Sequence, residues 1–214
     1  MNKWIVCLSL TLCLIGCSES SPPSSGASTD QPGANMQGYV ELKTALPVTG
    51  DTKSAPEVLE FFSYACDHCA DFNPQLEKWV QSNPRVHIRK VPVVFGRPNF
   101  EAFARLYFAL QSLGLTGLDD SVFAAIHQQN KDLSMPDIRR AWALDNKIDA
   151  EKLEQAMASS EVEQQVKTGD ELSRMAQIEG VPTLVTNGKY SISHDQAGSY
   201  ENMLTVTDSL LMKP

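Results

Sequence analysis

The chain has 214 residues, 42% of them hydrophobic and 21% charged, and carries a formal net charge of −8 at pH 7. That length suits one domain with room for an insertion, and the acidic balance argues against nucleic acid or an anionic membrane surface as partner. Neither an internal repeat nor a glycine-rich phosphate loop is present.

The N-terminus reads MNKWIVCLSLTLCLIGC, with Lys3 ahead of an uncharged stretch over residues 4–16. Thirteen residues at about 1.5 Å each are too few to span a bilayer core, which points to a signal segment rather than a transmembrane helix. Leu14-Ile15-Gly16-Cys17 resembles a bacterial lipobox. The resemblance implies that the Cys17 thiol takes a diacylglyceryl group and that cleavage leaves Cys17 as the first mature residue. A plain secretory signal or a short buried helix is the alternative. With the segment removed, Lys3 leaves 17 basic residues of 18 against 26 acids, a net charge of −9. Residues 18–38, rich in Ser, Pro and Gly and without an aromatic residue, are expected to form a disordered tether. Its root-mean-square span is roughly 25 Å.

YVELKTALPV (39–48) predicts an edge strand, closed by Gly50 and Asp51. After Pro56 the run Val58-Leu59-Glu60-Phe61-Phe62-Ser63 has the length and polarity of a buried strand. Phe72, Leu76, Trp79 and Val80 recur at helical spacing over 70–81, Pro84 follows, and 86–95 predicts a second strand made irregular by Pro92. A helical block comes next: one face through Phe100, Phe103, Tyr107 and Leu110, a Ser134-x-x-Asp137 capping pattern before Ile138, a short helix at Leu153–Met157, and a longer one over 160–178. Gly180-Val181-Pro182-Thr183-Leu184-Val185 leads into an Asn187-Gly188 hairpin turn, Tyr190 to Ser193 completes the hairpin, and 200–212 predicts a closing helix.

Two of the five cysteines, Cys7 and Cys13, leave with the signal, and Cys17 carries lipid. Cys66 and Cys69 remain as one pair in an exported, disulfide-permissive setting. They flank Asp67-His68 at the seam between the first central strand and the first helix, the thioredoxin-like arrangement. Unpaired N–H groups and a positive dipole at such a helix start lower a thiol's pKa below the usual ~8.5. A second thiol one turn on can form an exchangeable disulfide with it. Two alternatives compete. A structural staple gains little from so short a loop. A metal site needs three or four ligands, and His87, His127 and His194 are scattered, with only His68 near.

Taken together, VLEFFSYACDHC, the Lys90 strand, the helical insertion and GVPTLVTNGKY resemble the DsbA-like thiol:disulfide oxidoreductases of bacterial envelopes, over most of residues 39–214. The resemblance implies an α/β thioredoxin fold with an inserted helical domain, and a strongly oxidising disulfide given to newly exported proteins. It makes Cys66 the first active-site cysteine, Cys69 its resolving partner and His68 the family's histidine. Val181-Pro182 becomes the cis-proline loop that meets substrate, and Glu60 with Lys90 a buried acid–base pair beneath the site. The organisation expected is a signal peptide over 1–16, lipidated Cys17 and tether over 17–38, a thioredoxin-like domain over 39–98 and 166–214, and the helical insertion over 99–165.

The residues also speak for themselves. A carboxylate buried in a strand is costly, so Glu60 pairs with Lys90, stays partly protonated and serves Cys69, or reaches water at a strand end. Pro182 opens a strand either as a cis or as an ordinary trans proline. Asp67 stands where well-known family members have proline, and its charge opposes a Cys66 thiolate, while His68 supports one if protonated or donating. No cofactor and no metal is expected. The partners implied are reduced exported proteins, a membrane reoxidase of the DsbB type, and the membrane itself through the lipid. The expected state is a monomer in the periplasm; Ser18 is not the inner-membrane retention aspartate, which points to the outer membrane. A reductase or isomerase on the same fold, or a metal-binding lipoprotein, are the other functions.

Overall fold

The run expected to be a buried strand forms the middle of the sheet. In the computed structural model, which describes residues 38–49 and 55–213, it is Glu57–Phe62 (β2), and each of its six residues is buried. The expected signal segment, Cys17, the tether through residue 37 and the turn at Gly50 and Asp51 lie outside the described residues. The remaining strands are Val40–Glu41 (β1), His87–Pro92 (β3), Thr183–Thr186 (β4) and Tyr190–Ser193 (β5), in the order β1-β5-β4-β2-β3. Only β2 and β3 run parallel, and their register sets Glu60 opposite Lys90.

Alternation along β2 divides its side chains between two layers. Leu59 and Phe61 join Val91, Val93 and Leu172 on one face. Val58 faces Phe72, Leu76 and Trp79 of the helix Asp67–Ser82 (α1) and Met203 and Leu210 of Tyr200–Leu211 (α8). Each such apolar side chain contributes roughly 1.5–3 kcal/mol by leaving water. The helices between β3 and β4 are Pro98–Ser112 (α2), Asp119–Phe123 (α3), Pro136–Asp145 (α4), Ala150–Met157 (α5) and Ser160–Met175 (α6), with a π-helical turn at Ala124–Gln128 after α3. They bury a second core through Phe103, Leu106, Leu110, Trp142 and Leu153, which reaches Phe62, Tyr64 and Cys69. Helix α6 runs unbroken through residue 165: Val162 and Val166 belong to the helical core, Leu172 to the sheet core. A short helix, His194–Ala197 (α7), precedes α8 and is opened by a reciprocal capping box between Ser193 and Gln196.

Three local expectations change. The edge strand over 39–48 shrinks to two residues, because its partner β5 begins at Tyr190 and pairing ends at Glu41. Beyond it Leu42 and Leu46 donate instead to Lys189 and Gly188 of the hairpin turn. The second strand stops at Pro92, level with the end of β2. Ser134 does not cap α4: the cap position is Met135, the Ser134 hydroxyl bonds Asp132, and Pro136 opens the helix with φ already set. The Asn187-Gly188 turn has positive φ at both residues, 51° and 68°. A Cβ on Gly188 would stand 2.5 Å from the Leu46 carbonyl oxygen, so glycine is required there.

Candidate active site

Helix α1 begins at Asp67, three residues before the periodicity places it, because Cys66 is its N-cap. The Cys66 backbone is extended (φ −96°, ψ 116°), and its Sγ accepts the Cys69 N–H at 3.2 Å. A thiol thus stands where Ser or Asp usually satisfies the orphan donors of a helix start. On its other side the Cys66 thiol faces the Val181 carbonyl at 3.3 Å, and the Val181-Pro182 bond is cis. Both cysteines are free thiols; Cys66 is half-buried and Cys69 fully buried.

The two thiols are driven apart. A hydrogen bond from the Cys69 thiol lowers the Cys66 pKa, burial opposes that, the Cys69 and His68 backbone N–H groups lower it further, and Asp67 raises it. The net shift is downward. Burial, the donation to Cys66 and the Cys66 charge all push Cys69 far up, and Glu60 adds to this. Asp67 and His68 are exposed on the first turn. The Asp67 carboxylate accepts the His68 N–H at 2.8 Å. The His68 Nδ1 is 3.2 Å from the Tyr200 hydroxyl, and its ring stacks on His194, centroids 6.5 Å apart.

Beneath the pair lies a charged network. Glu60, 1% exposed, has Lys90 Nζ 3.5 Å from Oε2, an oxygen with no hydrogen-bond donor among the described residues. Lys90 is held more tightly elsewhere, donating to Asn73 Oδ1 and Asp119 Oδ2, both at 2.7 Å. Asp119 also accepts from the Tyr64 hydroxyl, and the Asn73 amide donates to Asp120 at 2.8 Å and Glu77 at 3.0 Å. Burial raises the Glu60 pKa; Lys90 lowers it, Asp119 and Glu77 raise it, and the result is upward. Lys90 also moves up, because Glu60 and Asp119 outweigh the opposing effect of burial. A groove of about 460 Å³, lined in part by Glu77, Lys90, Tyr107 and Asp119, opens this network to solvent.

The fold therefore brings together Cys66, Cys69, Val181 and Pro182, sets Glu60 and Lys90 beneath them, and leaves Asp67 and the His68 ring at the rim. Sequence reasoning missed Asp119, Tyr64 and Asn73. Asn73 carried a signal, a polar residue on the buried face of α1 one turn after Cys69. Asp119 carried none, since only the tertiary fold brings it to Lys90. Also missed is His127, whose Nε2 donates to the Tyr64 carbonyl at 2.8 Å from the π-helical turn. Among the described residues no three His, Cys, Asp or Glu side chains converge as metal ligands, and no helix is long and apolar enough to cross a membrane.

Residues 57–204 match the DSBA-like thioredoxin domain family. The chain is similar to the thiol:disulfide interchange protein DsbA of Bordetella parapertussis, 34% identical over 179 residues that cover 83% of this chain and 84% of that one. It is 33% identical over 177 residues to the protein of the same name from Pseudomonas aeruginosa, covering 82% of each. The crystal structure of Pseudomonas aeruginosa DsbA superposes with a TM-score of 0.76 at 32% identity, over 81% of this chain and 90% of that one.

Proposed function

This chain belongs to the DSBA-like thioredoxin domain family, and from that membership we propose how its cysteine pair is used. It is a thiol:disulfide oxidoreductase that donates a disulfide to substrate proteins. The observation that carries the residue roles is the asymmetry of the pair: Cys66 caps a helix and is reachable, Cys69 is sealed in the core.

In the oxidised enzyme a substrate thiolate attacks Cys66 Sγ. A substrate–Cys66 disulfide forms, the Cys66–Cys69 bond breaks, and Cys69 leaves with the electron pair. Burial makes a Cys69 thiolate costly, so it takes a proton, and Glu60 holds one within the same buried layer. A second substrate thiolate then attacks the substrate sulfur of the mixed disulfide, and Cys66 departs as the stabilised thiolate. Two electrons pass from substrate to enzyme. Val181 presents its carbonyl beside Cys66, where an extended substrate segment docks along Val181-Pro182, and Lys90 steadies the Glu60 charge when the proton is gone. Asp67 tempers the Cys66 thiolate.

The wider setting follows from the sequence. Cys17 would carry the lipid, and the monomeric enzyme would work in the periplasm, with the outer membrane as its anchor. Reduced exported proteins are its substrates, and a DsbB-type membrane protein reoxidises it. The test is refolding of a reduced, disulfide-dependent enzyme by the purified chain, with and without chelator. Catalysed oxidation indifferent to chelator supports the proposal; stoichiometric metal without turnover overturns it in favour of a metal-binding lipoprotein.

A further inference from the structure

Around Glu60 the charges do not balance. Lys90 on β3 is the cation the cluster shares, while acids face it from two elements: Glu77 on α1, and Asp119 and Asp120 on α3. Cys69 and Asn73 on α1, Tyr64 in the loop after β2, and Tyr107 on α2 complete the surroundings. Asn73 serves Glu77 and Asp120 through its amide. Asp119 takes the Tyr64 hydroxyl and the short Lys90 contact at 2.7 Å. Glu60 faces Lys90 across the sheet register, yet it is left at 3.5 Å with an oxygen that has no donor. A strand neighbour would be the natural partner for that ammonium, and an acid from the helical segment has displaced it.

We infer that Asp119 is a positioning residue for the exchange reaction: it draws the Lys90 ammonium away from Glu60 and so leaves Glu60 a proton to give to Cys69. The inference rests on the proposed disulfide exchange at Cys66 and Cys69 and extends it to the helical segment, which thereby supplies part of the proton chemistry. A buried and a part-buried carboxylate sharing one ammonium cannot both ionise cheaply, and the more deeply buried one with fewer donors keeps its proton. Glu60 is that one. Its raised pKa, to which Asp119 contributes, agrees with the geometry. The proton has a route out, since Lys90 and Asp119 line the open groove beside Tyr107 and Glu77.

The experiment reads Glu60 directly, by NMR of isotope-labelled glutamate carboxyls in the purified full-length chain in its disulfide form, where neither thiol of the pair titrates. Glu60→Gln assigns the resonance. Asp119→Asn should free Lys90 for Glu60 and lower the Glu60 midpoint by about 1–3 pH units. Asp119→Glu, which keeps the charge, should move it back toward the original value. Tyr64→Phe removes one donor from Asp119 but not its charge, so it must not lower the midpoint. In parallel, the rate at which a small dithiol reduces the Cys66–Cys69 disulfide should fall off with rising pH at the Glu60 midpoint, and in Asp119→Asn that limb should move down by the same amount. An unmoved midpoint in Asp119→Asn, or a fall in Tyr64→Phe as well, overturns the inference. So does a shifted midpoint with an unshifted rate limb. Failure of the unaltered protein to exchange disulfides at all is a separate result, one that overturns the proposed function while leaving the midpoints to judge Asp119.

Discussion

Strand β2 carries two buried glutamates, Glu57 at its start and Glu60 in its middle, and the protein treats them in opposite ways. Glu57 is saturated: Thr49 N at 3.2 Å, the Thr49 hydroxyl, Arg89 Nε at 3.1 Å and Nη2 at 3.3 Å, and His87 Nδ1 at 3.3 Å all reach its carboxylate. Burial pushes its pKa up, but the Thr49 and Arg89 bonds prevail and it is lowered. Glu60 has one ion pair among the described residues, at 3.5 Å, and its pKa is raised. Burial is common to both, so burial does not mark a functional acid. The number of donors separates them: the satisfied carboxylate ties the segment at 46–49 to the sheet, and the undersupplied one is the acid proposed to exchange a proton.

Removing each acid should therefore give opposite results for stability. Glu57→Ala strands the Arg89 guanidinium and the Thr49 donors and should cost about 3 kcal/mol, read as a lower urea midpoint at unchanged slope. Glu60→Gln should leave stability at pH 7 the same or higher, because it removes an underpaired buried acid while Asp119 still holds Lys90. Equal losses from the two variants erase the distinction.

The pH dependence sharpens it. Glu57 has a folded pKa below its ordinary 4.5, so its contribution is present above that value and is lost as pH falls through the folded pKa. Glu60 has a folded pKa above 4.5, so the folded state holds the proton more tightly, and stability declines as pH rises from about 4.5 through the folded pKa. Urea midpoints against pH should show the acid-side loss weakened in Glu57→Ala and the neutral-side decline removed in Glu60→Gln.

Smaller effects separate the rim from this buried layer. Asp67 opposes the Cys66 thiolate, and proline suits the first position of α1. Asp67→Pro should lower the Cys66 pKa by about one unit, which corresponds to a couple more oxidising by roughly 30 mV on equilibration with glutathione. His68→Ala should move the Cys66 pKa less than this, because the ring is engaged with Tyr200 and the backbone N–H that helps Cys66 survives the substitution.

What the sequence made legible was local or tied to pattern. The strand–helix seam set Cys66 at a helix start, and the apolar phase of 58–62 exposed Glu60 as a misfit. Lys90 emerged through resemblance, and the register explains it. The groups that decide the fate of each glutamate come from distant segments: Asp119, which competes for Lys90, from beyond α2, and the donors Thr49 and Arg89 from the chain before β2 and from β3. No periodicity records such encounters. The capping pattern at Ser134 misled for a related reason, since Asp132 competes for the hydroxyl and Pro136 fixes the helix start without it.

The proposed chemistry depends on the division of one cysteine pair into a reactive and a silent thiol, and thiolate absorbance against pH in the reduced protein tests that division most directly. One thiolate should appear with a midpoint below the ordinary value of about 8.5, vanish in Cys66→Ser, and be followed by no second one in the range where the fold survives. Two thiolates appearing together near that ordinary value, or a low midpoint that persists without Cys66, would contradict it.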